Sequence, residues 1–340
     1  MHKLLDIKAA IHVHSTFSLI DATDSPTDLL KYCKERGIES LSITDHGHVS
    51  GLPILLREAD KYGVRPLAGC EFYLDLGSDF KQYSHITVMA MNNDGYKNLL
   101  NLYHKSWDHV VTKWGKRKPK ISWELLEENN QNLIAGTGCI IGAAGRMLMD
   151  NNEPQAIKNL DRLIGIFGKD RLFAEFIPHA VTHDYDHKKG EFVPNECKPL
   201  FPEGDICKGY NQWLWTHAVE QRGLKPVVSL DAHFTTPDKK VIQDALLMNG
   251  EKGWHFYNSY HFLQPQEIFD HLTYLPGFNE KVYESMITNG QEFASMINYE
   301  KQEKVLHLPF KTASLKESYA LFGEKILEER INQICEGCCK

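Results

Sequence analysis

One local pattern recurs four times along this chain and narrows the folds that are open to it. Each copy consists of an amphipathic helix, a glycine, a short apolar strand and then a polar or ionisable residue. In the first copy, Ser25 and Pro26 open the helix and Gly37 ends it, and residues 38–43 form the strand. Serine is a preferred N-cap, proline fits the first helical position, and glycine adopts the left-handed conformation that ends many helices.

The other three copies have their strands at residues 64–68, 171–177 and 224–230. Strands that alternate with helices are typical of βαβ units and of a mostly parallel sheet. In α/β barrels, the functional groups stand at the carboxyl ends of such strands. We therefore expect a barrel-like α/β domain. Its rim would carry the ionisable residues that follow the strands, namely Asp45, His46, Glu71, His179 and Asp231.

Composition excludes several classes of protein. With 42% hydrophobic and 24% charged residues among 340, the chain is neither disordered nor fibrous. No apolar run approaches the roughly 18 residues of a membrane span, and the N-terminus lacks the apolar region of a signal peptide, so we expect a cytoplasmic protein without membrane contact. The net charge of −7 gives no bulk positive field for nucleic acid. Eight irregularly spaced cysteines indicate reduced thiols or ligands.

Two three-residue segments, which contain three of the 17 histidines, give the clearest indication of chemistry. His12 and His14 flank one residue at the end of an apolar strand, and Asp231 and His233 repeat this spacing at the end of another. Residues two apart on a strand point to the same face, so both side chains of a pair can bind one ion. A single pair of this kind is more often structural, but two pairs at matching strand ends favour a metal site.

Four motifs, in this order along the chain, resemble those of the PHP (polymerase and histidinol phosphatase) superfamily. They are His12-Val13-His14-Ser15, Thr44-Asp45-His46-Gly47, Gly69-Cys70-Glu71 and Asp231-Ala232-His233. The similarity covers roughly residues 5–300 and is closest to the PHP domain at the N-terminus of bacterial replicative DNA polymerase III alpha subunits. It implies a distorted (β/α)7-type barrel with a trinuclear metal site at the C-terminal rim of the strands.

The resemblance also implies nine metal-ligand positions, and in this chain each of them carries a residue that can bind a metal ion. The first ion would take His12, His14, Glu71 and Asp231; the second Glu71, His85 and Cys139; the third Asp21, His46 and His233. The nucleophile would be a hydroxide that bridges two ions and is held at Glu71, with Asp45 orienting a neighbouring imidazole. Imidazole, carboxylate and at most one thiolate suit two to three Zn²⁺, Mn²⁺ or Fe²⁺ ions better than Mg²⁺ or Ca²⁺.

Three of the nine residues have weaker support from the sequence itself. His85 precedes the apparent strand at residues 86–90, which is the wrong end for a parallel barrel unless that strand is reversed. Cys139 alone would more often be a small buried apolar residue. Asp21 could equally be an exposed turn residue, and Asp24 could take its place.

Basic residues are concentrated at residues 112–120, TKWGKRKPK. A solvated loop is the more common structure for such a run, and DNA contact through Lys116, Arg117 and Lys118 is the alternative. Arg146 could meet a substrate phosphate or form a surface salt bridge. The polar stretch at residues 183–209 reads as a long loop or insertion.

These features predict a PHP phosphoesterase domain at residues 1–300 and a charged, helical tail at residues 301–340 with Cys335, Cys338 and Cys339 near its end. Three functions are compatible with them. The leading hypothesis is a metal-dependent 3′–5′ exonuclease with DNA as its substrate. The second is a phosphatase for a small phosphomonoester, which the acidic charge balance favours. The third is a non-catalytic module that docks onto a replicative polymerase or another replication protein.

Overall fold

The computed structural model describes residues 4–18, 21–77, 83–113, 116–186, 188–189, 191–201, 203–248 and 260–298. Trp114 and the predicted tail, with Cys335, Cys338 and Cys339, lie outside these residues. Among the described helices, none has the length and apolar character needed to cross a membrane.

Most strands of the described residues belong to one curled sheet. The strands are β1 (Ala9–Ala10), β2 (Ser40–Ile43), β3 (Arg65–Asp75), β4 (Tyr83–Ala90), β5 (Val110–Lys113), β6 (Lys116–Ile121), β7 (Leu133–Gly136), β8 (Leu172–Phe176), β9 (His183–Asp186), β10 (Glu191–Pro194) and β11 (Lys225–Val228). Seven of them follow the order β1-β2-β3-β4-β7-β8-β11, while β6 pairs with β3 and β5 pairs with β6. The strands β9 and β10 form a separate hairpin.

Helices connect and cover these strands. They are α1 (Pro26–Arg36), α2 (Leu52–Tyr62), α3 (Asn93–Ser106), α4 (Trp123–Glu128), α5 (Ala143–Met149), α6 (Glu153–Phe167), α7 (Ile206–Leu214), α8 (Lys240–Met248), α9 (Pro265–Leu272) and α10 (Glu280–Ser295). A π-helical turn, Trp215–Glu220, continues α7, and a 3₁₀ turn, Pro237–Lys239, precedes α8.

Helix α1 begins and ends as its sequence predicts. The Ser25 hydroxyl accepts a hydrogen bond from the backbone N–H of Asp28, whose carboxylate accepts one from the Ser25 N–H in return. At the other end, Gly37 has φ 67° and closes the helix with backbone hydrogen bonds. The buried Leu29 and Leu30 form part of the main apolar core. Local chemistry thus fixes both ends of the helix, and burial of the apolar face stabilises its position.

The sheet confirms the predicted α/β barrel, and one strand is reversed within the order β1-β2-β3-β4-β7-β8-β11. The pairs β1–β2, β2–β3, β7–β8 and β8–β11 are parallel. Strand β4 runs antiparallel to both neighbours, with Tyr73 opposite His85 and Val88 opposite Ala135. The start of β4 therefore lies at the rim where the parallel strands end, which resolves the position of His85.

The two edges of the sheet meet beyond the ends of β1 and β11. Val13 forms a parallel bridge with Ala232. The His14 N–H donates to the Ala232 carbonyl over 2.8 Å, and the Ala232 N–H donates to the His12 carbonyl over 3.3 Å. We call this pairing of residues 12–14 with Ala232 the seam. It brings the two ligand triplets of the sequence together although they are far apart along the chain.

Position along one strand face separates the apolar end of the barrel from the polar rim. On β3, Leu67, Gly69 and Glu71 share one face because side chains two apart point the same way. Leu67 packs in a buried apolar cluster with Phe173 of β8 and Phe293 of α10. Glu71 lies further along the same face of β3 and is also buried. The barrel therefore closes at one end with apolar packing and collects ionisable groups at the other.

One interpretation of an irregular segment is wrong, and a second is only partly right. The basic run was expected to be a solvated loop, but its described residues lie in the hairpin of β5 and β6, and Tyr73 and Leu74 of β3 pair with β6. The stretch at residues 183–209 contains the β9–β10 hairpin and the first turn of α7. Both hairpins were missed because their short strands are polar and lack the alternation of apolar and polar residues that is typical of strands.

Candidate metal centre

The Glu71 carboxylate occupies the middle of a buried cluster of histidines. Its Oε1 lies 3.4 Å from His12 Nε2 and 3.1 Å from His85 Nδ1. Its Oε2 lies 3.7 Å from His14 Nε2 and also contacts His46 Nδ1. Strand β3 supplies the carboxylate at the rim, where the other strands end around it.

Asp231 extends this cluster across the seam. Its Oδ1 lies 3.3 Å from His12 Nε2 and 3.1 Å from His14 Nε2, and these two nitrogens are 3.2 Å apart. The residue has φ 47°, in the left-handed region that is uncommon for a residue other than glycine. Backbone conformations of this kind are concentrated at functional sites because the surrounding structure must hold them in place.

Hydrogen bonds behind two histidines direct their Nε2 atoms into the centre. The Ser18 hydroxyl donates to Asp45 Oδ1 over 2.9 Å, so it accepts from His14 Nδ1 at 2.8 Å. His233 Nδ1 donates to the backbone carbonyl of Asp231 over 2.8 Å, because a carbonyl can only accept. In both rings Nε2 is therefore left with its lone pair, which is the form that binds a metal.

Asp45 acts on His14 through Ser18. Besides Ser18, its carboxylate accepts from the Ser15 N–H over 2.7 Å and from the Ser15 hydroxyl over 2.8 Å. Burial raises the pKa of Asp45 to about 7, although these hydrogen bonds favour its ionised form. Asp45 thus supports an imidazole from behind the cluster.

Glu175 is a functional residue that the sequence reasoning missed. Its Oε1 lies 3.4 Å from His12 Nδ1. The same carboxylate accepts hydrogen bonds from the Thr87 hydroxyl at 2.6 Å, the Gly138 N–H at 2.7 Å and the Ser229 hydroxyl at 3.2 Å. These donors fix a buried carboxylate behind His12. A glutamate inside the otherwise apolar strand β8 was the feature of the sequence that could have revealed it.

The structure places the three residues with weaker support at or beside the cluster. Asp21 Oδ2 lies 3.4 Å from His46 Nε2. Its alternative, Asp24, instead pairs with Lys239 and accepts a hydrogen bond from the Thr235 N–H. The buried Cys139 Sγ lies 4.0 Å from Glu71 Oε1. His85 contacts Glu71 as described above.

Not every rim residue joins the centre. His179 is buried, and its Nε2 donates to the Leu230 carbonyl over 2.9 Å, which gives this ring a partner of its own. Burial lowers the pKa of His179 to about 4, so the ring is neutral at pH 7. We therefore assign it a structural role.

The protonation preferences of the cluster match a cation-binding site. Burial, with the neighbouring His46 and His233, holds the pKa of His14 well below its usual value. Burial opposes ionisation of Glu71, but His85, His46 and His12 outweigh it and hold the pKa of this carboxyl well below normal. Burial also disfavours charge on His46, yet Glu71 and Asp21 raise its pKa to about 10. The carboxylates therefore attract positive charge, which a proton or a metal ion can supply.

Three overlapping groups of side chains have ligand atoms close enough to share an ion. They are His12, His14 and Glu71; His46, Glu71 and His85; and His14, His46 and His233. Within the described residues, Glu71 Oε2, Asp21 Oδ1 and His85 Nδ1 are buried and make no hydrogen bond of good geometry, although Glu71 Oε2 contacts His46 Nδ1 and His85 Nδ1 lies 3.1 Å from Glu71 Oε1. Such atoms are costly unless a cation compensates them, so the residues fit divalent metal ions. The assignment of nine ligands to three ions stays a prediction.

Cationic and aromatic side chains lie beside the centre. Lys118 Nζ contacts the Tyr83 hydroxyl at 2.5 Å and lies 4.6 and 4.5 Å from the ring centroids of Tyr73 and Tyr83. Burial lowers the pKa of Lys118 to about 8 and also lowers that of Arg146. Among the described residues, neither cation has a carboxylate within ion-pair distance. Arg117 is exposed, and for Lys116 only the backbone is described.

Comparisons with known proteins agree with this geometry. The chain matches the PHP domain family over residues 10–179, which is 170 of its 340 residues. It is 28% identical over 250 residues to DNA polymerase III subunit alpha of Treponema pallidum and 33% identical over 241 residues to that of Thermus aquaticus. These alignments cover 71% and 68% of this chain but only 19% of either relative.

One solved structure that aligns with this chain is of a candidate metal-dependent phosphoesterase from Bifidobacterium adolescentis. The alignment covers 79% of this chain and 97% of the chain in that structure. The TM-score is 0.40 and the identity is 13%. The family match rests on the sequence, over a segment that includes the first two ligand motifs, Glu71, His85 and Cys139. The chain therefore belongs to the PHP domain family.

Proposed function

We propose that this chain is a metal-dependent phosphoesterase and that it removes nucleotides from the 3′ end of DNA. The observation that carries the proposal is the buried cluster of imidazoles and carboxylates with two unneutralised cations beside it. A cluster of this kind has no structural advantage over an apolar core, because each buried ionisable group has a desolvation cost. Its retention favours a catalytic role over a purely structural one.

Two or three divalent ions of Zn, Mn or Fe, held by the predicted ligands, would lower the pKa of bound water and neutralise charge on a phosphate. The protein's own task is to present these ligands in the right protonation state. Ser18 and the Asp231 carbonyl direct the Nε2 lone pairs of His14 and His233 inwards. Glu71, between the two faces of the cluster, would serve as the bridging ligand.

Lys118, Arg146 and Tyr83 would contact the oxygens of the phosphodiester. Phosphate contacts of this kind position a nucleic acid without reading its sequence. Lys116 and Arg117, on the same strand as Lys118, would contact the adjoining backbone. Similarity to DNA polymerase III alpha subunits supports DNA as the substrate, and it also supports action beside a replicative polymerase or another replication protein.

The test begins with elemental analysis of protein purified without a chelator, followed by assays on a 5′-labelled oligonucleotide and on a small phosphomonoester. Two to three equivalents of metal and stepwise release of mononucleotides would support an exonuclease. Inorganic phosphate from the monoester, with an intact oligonucleotide, would instead indicate a phosphatase. Substoichiometric metal and no hydrolysis after reconstitution with Mn²⁺ and Zn²⁺ would favour a docking module.

The variant Asp231→Asn tests whether hydrolysis occurs at the centre. We expect it to lose at least about a hundredfold in activity, because even residues behind the metal ligands cost up to that much in related sites. Asp238→Asn is the matched control, since Asp238 is an exposed carboxylate on the following segment. Equal activity in both variants would show that the site assignment is wrong.

A further inference from the structure

We propose that Arg117, Trp107 and His48 form a binding surface for an unpaired DNA strand that leads to the metal centre. This inference rests on the proposed function and names the part of the substrate that the centre itself does not touch. We call the three residues the Trp107 surface. It is distinct from the ligand set and from the pair Lys118 and Arg146.

The geometry of this surface combines a cation with aromatic rings that contact one another at tilted angles. The Arg117 guanidinium lies 5.4 Å from the centroid of the Trp107 ring. The His48 ring lies 5.7 Å from Trp107 and 6.4 Å from Tyr103. Trp107 and His48 are half-buried and Arg117 is exposed, so part of each side chain is accessible to a ligand. Rings that bases can stack on, next to a cation for the backbone, are the usual means of holding a single strand.

The Trp107 surface adjoins the metal centre through the β5–β6 hairpin. His48 follows the cluster residue His46 by two positions. A Cβ on the intervening Gly47 would lie 3.3 Å from Pro119 of β6 and 3.0 Å from Tyr73, so the hairpin packs directly over this loop. Arg117 and Lys118 are consecutive on β6 and point to opposite faces of it. One face of the strand therefore borders the centre while the other borders the Trp107 surface.

Charge distinguishes this surface from a purely structural cation–π pair. The chain contains a second such pair, with Arg162 4.8 Å from the Trp123 ring. Arg162 is neutralised there by Glu124 at 3.0 Å and Glu127 at 2.8 Å. Within the described part of the chain, Arg117 has no carboxylate at ion-pair distance. In a protein of net charge −7, an exposed and unneutralised guanidinium beside the centre is a local site for a phosphate.

Stacking selects an unpaired strand. A base within a duplex has its faces covered by neighbouring base pairs and cannot reach a half-buried ring, whereas an unpaired base can. A strand whose terminal phosphodiester lies in the centre would cross β6 between Lys118 and Arg117, with its next nucleotides on the Trp107 surface. The proposal thus assigns a single-stranded 3′ end as the substrate.

The test measures binding separately from hydrolysis. A fluorescein-labelled oligo-dT and a duplex of equal length are titrated by anisotropy in the presence of EDTA, which prevents cleavage. We expect Arg117→Ala and Trp107→Leu each to weaken oligo-dT binding by about tenfold, with a shallower salt dependence for Arg117→Ala. The wild type should bind the duplex more weakly than oligo-dT, and neither variant should change its affinity for the duplex much. Arg162→Ala is the matched control and should bind oligo-dT like the wild type.

Kinetics then connect the surface to the centre. With Mn²⁺ present, Arg117→Ala should raise KM for a single-stranded oligonucleotide about tenfold, whereas Arg162→Ala should hydrolyse it with the KM of the wild type. The proposal would be overturned if Arg117→Ala and Trp107→Leu both bound oligo-dT as tightly as the wild type. It would also be overturned if Arg162→Ala lost as much affinity for oligo-dT as they do. Oligo-dT binding that depends on Arg117, without any nuclease activity, would support the surface and refute the exonuclease.

Discussion

Glu175 is the residue whose change we expect to weaken metal binding without removing a ligand. Its carboxylate accepts from three donors and lies 3.4 Å from His12 Nδ1. Glu175→Gln keeps the shape but removes the charge that stabilises an Nδ1-protonated ring, so metal affinity should fall about 10- to 100-fold. Titration of the metal-free protein with Mn²⁺ against a chromophoric chelator measures this. Glu127→Gln, an exposed carboxylate, is the control, and equal affinities in the two variants would contradict the role of Glu175.

The titration of His179 should make the free energy of unfolding depend on pH. Burial is the main reason that its pKa falls from 6.5 to about 4 in the folded protein, with His271 and His261 adding to the effect. Because the folded pKa lies below the unfolded one, this contribution to stability is complete above pH 6.5 and is lost as the pH falls towards 4. It amounts to about 2 kcal/mol between pH 7 and pH 5.

His179→Gln isolates this contribution because glutamine can still donate to the Leu230 carbonyl but does not titrate. Urea unfolding of metal-free protein at pH 7 and pH 5 should show a loss of stability in the wild type that is about 2 kcal/mol larger than in the variant. His104→Gln, at an exposed position of α3, should behave like the wild type. Parallel pH profiles for all three proteins would disprove the role of His179.

At the residue scale, the sequence predicts those site residues whose role depends on strand position alone. His12, His14, Asp231 and His233 lie two apart at strand ends, and the structure brings them together. The contact of Glu175 with His12 depends on the pairing of β7, β8 and β11, which no local pattern encodes. For the same reason, the choice between Asp21 and Asp24 needed the position of Lys239.

Two helical glycines test the packing of whole elements. A Cβ on Gly95, near the start of α3, would lie 2.0 Å from the backbone carbonyl oxygen of Asn132. Gly95→Ala must therefore displace α3 from the loop before β7, and we expect a loss of about 1–3 kcal/mol. A Cβ on Gly290 in α10 meets no described atom within 4 Å. Gly290→Ala should add about 0.5–1 kcal/mol through helix propensity. Urea unfolding of the two variants measures both effects, and a change of the same sign in both would contradict the packing.

Element boundaries were predictable where caps mark them, as at Ser25 and Gly37, but strand direction was not. An apolar segment has the same composition in either direction, so the reversal of β4 depends on its hydrogen-bonding partners in β3 and β7. The β5–β6 hairpin was missed because five basic residues obscure the strand pattern, while the pairing of Tyr73 with Lys120 and Leu74 with Ile121 stabilises it through the sheet.

The whole barrel depends on the seam, where the first and last strands of the sheet meet. The seam itself contributes few hydrogen bonds, those of His14 and Ala232 among them. Yet His12 and His14 on one side and Asp231 and His233 on the other are the residues predicted to share ions. Metal binding would therefore connect segments separated by more than two hundred positions and close the barrel at its open end.

This arrangement predicts that metal stabilises the entire fold. At a free Mn²⁺ concentration of 100 times Kd, a site that exists only in the folded state adds about 2.7 kcal/mol to the free energy of unfolding. For a domain of about 300 residues, that corresponds to a rise in Tm of roughly 3–5 °C. Thermal unfolding with and without Mn²⁺ measures the shift, and Asp231→Asn should lose most of it while Asp238→Asn retains it.

Hydrogen exchange then tells where the metal acts. The amides of His14 and Ala232, which bond across the seam, should exchange more slowly when Mn²⁺ is added. Amides at the opposite end of the barrel, such as those of α10, should change only through global stability, because no predicted ligand lies there. An equal Tm rise in Asp231→Asn, or protection that spares the seam, would mean that the ion binds elsewhere and that the ligand clusters do not hold the barrel closed.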